Sequence, residues 1–186
     1  MKHNVSTLTP EQQERIELIR RNVLTPATAR NVDVVLAMNF SYWVFKTRQE
    51  MLAYFKTVRG SLSKDGVFML DHYGGYESQM TQEERRRQKG FTYVWDQDFF
   101  DPISFDTVCH IHFEFRDGTR MEKAFTYRWR LWTMPEIREL LTEAGFSRVT
   151  VYWEGDDGKG GGDGVFRPRK VGEECAAYVS YIVAER

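Results

Sequence analysis

The segment from Val32 to Leu70 constrains the chain more than any other. VDVVLAM, residues 32–38, is a near-continuous apolar run of the kind carried by a parallel strand buried on both faces. From Lys46 the period changes: Met51, Leu52, Phe55, Val58 and Leu62 recur at helical spacing, and Asp65-Gly66 closes that helix. Val67 to Leu70 is a second short apolar strand, ending in Asp71-His72-Tyr73-Gly74-Gly75. Strand, helix and strand at this separation form a βαβ unit, so the fold class is α/β with a parallel sheet. Such sheets bind ligands beyond the carboxyl ends of their strands. Two ends are therefore of interest, Asn39-Phe40-Ser41 and the stretch from Asp71 to Gly75.

On the amino-terminal side, Thr9-Pro10-Glu11-Gln12 reads as an N-cap, a first-turn proline and acidic or amide first-turn residues of a short helix. Ile16 and Leu18 alternate with polar residues and predict a strand that ends in a loop at Asn22-Val23-Leu24-Thr25-Pro26. On the other side, the charged segment Glu77 to Lys89 predicts a solvated helix. Phe91 to Phe99, Thr107 to Phe115 and Met121 to Leu131 are β-rich, and Arg116-Asp117-Gly118-Thr119 is a hairpin turn signal. We read 91–131 as an antiparallel β-ribbon inserted into a single domain that spans the chain. Met134-Pro135-Glu136 opens a helix that Gly145 stops; Arg148 to Trp153 and Ala176 to Ala184 are further strands, with a glycine and aspartate loop at Gly155 to Gly164.

Composition narrows the function classes. A formal charge of −1 over 186 residues offers no basic field for nucleic acid. No apolar run approaches the ~20 residues of a membrane span, and MKHNVSTLTPEQQER lacks the apolar core of a signal peptide. Cys109 and Cys175 have neither metal spacing nor a disulfide framework, which agrees with free thiols in the cytoplasm. His110-Ile111-His112 sets two imidazoles on one strand face, a chelating spacing without an evident third ligand. Cross-strand hydrogen bonding or a substrate wall is the alternative, and no metal site is expected. Tyr93, Trp95, Phe99, Phe113, Phe115, Phe125, Tyr127, Trp129 and Trp132 alternate as one aromatic face. They form the ribbon's own core, a lid that excludes water from a reacting centre, or a homodimer interface.

VDVVLAMNFSYWVF, a helix, a strand ending in LDHYGG, then EIRELLTEAGF and VTVYWE together resemble the second half of a class I S-adenosylmethionine-dependent methyltransferase. The resemblance runs from Leu8 to the end of the chain and implies a Rossmann-like sheet that is incomplete at its amino-terminal side. The family's glycine-rich turn after the first strand and acidic residue after the second have no counterpart here. Gly158-Lys159-Gly160-Gly161-Gly162 follows a late strand and opens no helix, so it is not a substitute. The chain is accordingly expected to be a piece of a longer protein or a shortened relative.

What the resemblance implies for function is methyl transfer from S-adenosylmethionine to a small-molecule acceptor. The backbone at Ala37 to Asn39 would run past the cofactor's methionine and ribose, with Phe40 closing one side and Asn22 and Val23 holding adenine. The plainer readings are that Asn39 caps the next helix, Phe40 is core, and Asn22 only forms a turn. Asp71 and His72 are the candidates for proton removal, His72 by its pKa range; alternatively Asp71 caps a turn and His72 packs. Tyr42, Tyr73, Tyr93, Trp95 and Trp129 are the expected acceptor contacts. The rival from another class is a non-catalytic binding or dimerisation module, whose open parallel edge would invite association.

Overall fold

The computed structural model describes residues 2–25 and 29–186. Two short helices, α1 (Lys2–Ser6) and α2 (Pro10–Gln13), lead in, and Thr9 caps α2 through a reciprocal capping box with Gln12. The βαβ unit is present as β1 (Val32–Ala37), α3 (Arg48–Ser61) and β2 (Leu62–Gly74), with β1 and β2 parallel. After it come β3 (Gln82–Arg87), β4 (Phe91–Phe100), β5 (Asp106–Phe115) and β6 (Arg120–Arg130), then α4 (Met134–Glu143), β7 (Arg148–Asp156), β8 (Gly162–Arg169) and β9 (Tyr178–Glu185). One sheet has the order β1-β2-β9-β7-β8, the other β3-β4-β5-β6. Apart from β1 and β2, every pairing is antiparallel.

Five local expectations give way to tertiary pairing. No strand forms from Ile16; residues 16–22 are irregular, because a strand needs a partner for its backbone groups and no strand among the described residues pairs with them. Pro26, in the loop expected after that strand, lies outside the described residues. β1 is not buried on both faces: it pairs only with β2, and Val34 and Leu36 are 55% and 60% exposed. α3 ends at Ser61 rather than at Asp65-Gly66, which fall inside β2 where the register slips between Val32 and Val34. The charged segment expected to be helical contributes β3, which pairs with β4; Arg85 bonds Glu83 and, across the sheet, Glu114, while Arg86 bonds Glu84. Charges that suit a helix surface suit a strand equally when alternate side chains find opposite charges. The loop expected at Gly155 to Gly164 is largely a hairpin, its tip closed by the Asp157 N–H donating to the Gly161 carbonyl.

The two sheets share one core. Phe55, Phe68, Leu70, Ile137, Leu140 and Ile182 from the parallel side pack in the same cluster as Trp129, Leu131 and Trp132 from the end of β6. Cross-links reinforce the junction: the Trp132 indole donates to the Phe45 carbonyl at 3.1 Å and Arg130 to the Lys46 carbonyl at 3.0 Å. No helix among the described residues is long and apolar enough to cross a membrane.

Candidate functional site

The exit of β1 has an unusual backbone. Asn39 and Phe40 are consecutive residues in the left-handed region, with φ of 57° and 53°. Asparagine tolerates this conformation, but a phenylalanine there is strained and needs an external hold. Asp71 supplies it from β2, one residue past the last pair with β1: its Oδ2 accepts the Asn39 N–H at 2.7 Å and its Oδ1 the Phe40 N–H at 2.9 Å. One carboxylate thus occupies both oxygens in fixing the turn. Burial pushes the Asp71 carboxyl above its ordinary pKa, against the downward pull of the two N–H groups.

Asn39 does not cap the next element: Phe40 is the N-cap of the short 3-10 turn at Ser41–Val44, and Thr47 caps α3. Phe40 turns into an aromatic cluster. Its ring lies 5.1 Å from Trp43, 6.0 Å from Tyr73 and 6.3 Å from Trp129, and Trp95 stands 6.2 Å from Trp129. The aromatic face of the ribbon therefore packs over the two strand exits. Gln97 fastens it there: its Oε1 accepts from the Tyr73 hydroxyl, and its Nε2 donates to the carbonyls of Glu77 at 2.9 Å and Met80 at 2.7 Å. Burial raises the Tyr73 hydroxyl to about 12, so it remains a protonated donor.

Of the expected residues, Ala37, Asn39, Phe40, Asp71, Tyr73, Trp95 and Trp129 come together. Tyr42 does not contribute a wall. It is buried in the core, and its hydroxyl, pushed up by desolvation, donates to the Asp71 carbonyl at 2.8 Å. Tyr93, on the same face of β4 as Trp95, meets Phe113 at 6.1 Å. Asn22 and Val23 line a separate cleft of about 290 Å³ with Val35, Leu36 and Tyr54, beside β1 and short of its exit. Asn22 Oδ1 accepts the Leu24 N–H there, the turn-forming arrangement. His72 alternates with Asp71 and so faces the other side of β2, with Phe68 and Leu70. Burial lowers its pKa to about 4, which leaves a neutral imidazole of low basicity, poorly matched to proton removal at neutral pH.

His110 and His112 face away from the aromatic cluster, since Asp96 and Val94 oppose them while Trp95 opposes Ile111. Each imidazole bonds a carboxylate at 3.2 Å, His110 to Asp98 and His112 to Asp96, the cross-strand hydrogen bonding considered from the sequence. No group of three metal-ligating side chains occurs among the described residues. Sequence reasoning missed Gln97 and Trp43. Trp43 had a signal, an aromatic pair directly after the strand exit; Gln97 had none, because its partners are main-chain carbonyls of a distant turn.

No protein-family model matches the chain, and no curated protein matches it by sequence. Solved structures do match. A methyltransferase from Clostridium acetobutylicum described as S-adenosylmethionine-dependent aligns over 99% of this chain and 68% of its own, with a TM-score of 0.63 and 16% identity. The CcbJ methyltransferase of Streptomyces caelestis aligns over 97% and 68%, with a TM-score of 0.67 and 14% identity. CalS10 from Micromonospora echinaspora, an amino pentose methyltransferase solved with S-adenosylmethionine bound, aligns over 96% and 71%, at 0.58 and 17%. The fold is that of the S-adenosylmethionine-dependent methyltransferases. Within this methyltransferase fold the five-stranded sheet carries both strand exits, and the four-stranded sheet covers them with its aromatic face. The glycines at 158–162 lie at the tip of the β7–β8 hairpin.

Proposed function

We propose that this protein transfers a methyl group from S-adenosylmethionine to a small-molecule acceptor. The observation that carries the reading is the Asp71 clamp: it holds two successive left-handed residues at the carboxyl end of a parallel strand, in the fold of proteins solved with that cofactor. The residues present fit one side of such a ligand, with an exposed Asn39 and the edge of an aromatic cluster at one lip. When bound, the cofactor supplies an electrophilic methyl group on a sulfonium sulfur.

The chain's part is alignment and exclusion of water. Ala37, Asn39 and Phe40 form the cofactor lip, whereas Asn22 and Val23 line the separate cleft beside β1. Tyr73, Trp95 and Trp129 form the acceptor wall. Asp71 is a positioning residue, since both its oxygens are committed to the backbone. Small size of the acceptor is supported by the amino pentose substrate named for CalS10 and by the aromatic cover over the exits.

The test is calorimetric titration of the 186-residue protein with S-adenosylhomocysteine. Saturable binding, weakened about tenfold by Asp71→Asn, is expected, that factor corresponding to about 1.4 kcal/mol. Failure of the folded protein to bind would overturn the proposal that this chain holds the cofactor, and would favour a non-catalytic module.

A further inference from the structure

We propose that a cleft on the helix-facing side of β2 binds an uncharged ring carrying a hydroxyl group. The cleft measures about 260 Å³ and lies between the exit of β2, the start of β9 and the amino end of α4. Its walls include His72, Phe105, Trp132, Met134 and Tyr178. That volume suits a single ring and falls just below the usual range for drug-sized ligands.

An unsatisfied polar group in the cleft wall marks the place, with a second beside it on the neighbouring strand. His72 is 1% exposed, and its Nδ1 has no hydrogen-bond partner; Ser180, directly opposite on β9 and 0% exposed, has an unpartnered Oγ. Paired residues of neighbouring antiparallel strands share a face, so the two groups are adjacent. Each such group is costly when nothing satisfies it, and a native fold retains one for a reason. A neutral imidazole presents one lone pair and one N–H. A hydroxyl is the complementary group, because it can donate to the first or accept from the second.

Charge selects against ions. None of the residues around the cleft carries a full charge at neutral pH, since burial keeps His72 unprotonated. A carboxylate or ammonium entering would lose its hydration with no counter-charge among the lining residues to replace it; Arg130, stacked on Trp132, and Glu136, at the start of α4, are paired with each other. Nor does α4 offer an anion site at its amino end. Thr133 and Glu136 close a capping box on each other there, and Pro135 has no N–H. Aromatic faces take the remaining part: Tyr178 leans over Gly74, where any Cβ would run into its ring, and rests 4.4 Å from Trp153. This site is independent of the cofactor reading. His72 reaches it from the face of β2 opposite to Asp71, and Tyr73 borders both places.

The experiment titrates the isotope-labelled full chain with phenol, benzoate and methyl glucoside and follows the His72 imidazole nitrogens by NMR. Expected is saturable binding of at least one neutral ring with a shift at His72, and affinity at least about tenfold lower for benzoate. Phenol alone, or methyl glucoside alone, would support the site and say whether it prefers a flat or a puckered ring. Met134→Trp fills the cleft from its rim, and His72→Leu removes the polar group; each should weaken binding about tenfold or more. Should His72→Leu fail to fold, Met134→Trp carries the test. No binding of either neutral ring, equal binding of benzoate, or binding indifferent to Met134→Trp would overturn the proposal.

Discussion

Replacing Asp71 by asparagine tests the clamp at the strand exit. The wild-type carboxylate accepts two main-chain N–H groups, at 2.7 and 2.9 Å, and each bond of this charge-assisted kind contributes ~1.5–3 kcal/mol. An amide keeps one acceptor oxygen but turns its NH₂ toward the other N–H, so one bond is lost and the second becomes neutral. Against that, the amide avoids the burial penalty that raises the carboxyl's pKa. The difference comes to about 2 kcal/mol, which for a domain of this size lowers Tm by roughly 4–8 °C. Hydrogen exchange gives the sharper readout, because the loss is local: the Asn39 and Phe40 amides should exchange about thirtyfold faster, while the buried amides of β2 and β9 change no more than global stability requires. If those two amides exchange at the wild-type rate in the variant, the clamp is not what holds Asn39 and Phe40 left-handed.

Two further predictions concern titration and strain. Because burial lowers His72 from 6.5 to about 4, the unfolded chain takes up a proton before the folded one does; stability is full above pH 6.5 and falls as the pH drops toward 4, by at most about 3 kcal/mol. His72→Leu should flatten that slope in urea unfolding measured across the window, and Asp71, whose raised pKa acts in the opposite sense, is common to both proteins. Lys123 sits at φ 47° where β6 bulges, with its N–H donating to His112 Nδ1 at 3.1 Å; Lys123→Gly retains that bond and should stabilise by ~0.5–1 kcal/mol in chemical denaturation. A destabilised glycine variant would mean that the lysine side chain, 3.9 Å from Asp98, secures the bulge.

How much was legible depended on whether a signal was local. The apolar positions Met51, Leu52, Phe55 and Val58 of α3, the capping at Thr9 and the Asp117-Gly118 hairpin rest on contacts within a few residues, and the chain forms them as read. β3 was not legible, because QEERRR becomes a strand only when β4 is there to pair with it. Asp71 stood out as a polar residue at a strand end. Its role did not, since acceptance of two N–H groups depends on the spacing of β1 and β2 across the sheet.

The sequence by itself determined the βαβ unit, the aromatic ribbon and the resemblance to the methyltransferase fold, because hydrophobic period and turn chemistry are written in consecutive residues. Only the tertiary structure decided which side of β2 each residue serves. Asp71 and Tyr73 face the strand exits, while His72 borders a cleft on the other face and pairs with Ser180 of β9. The physical reason is the pleat: neighbours in the chain point to opposite faces of a strand, and what they meet there is set by elements far away in sequence.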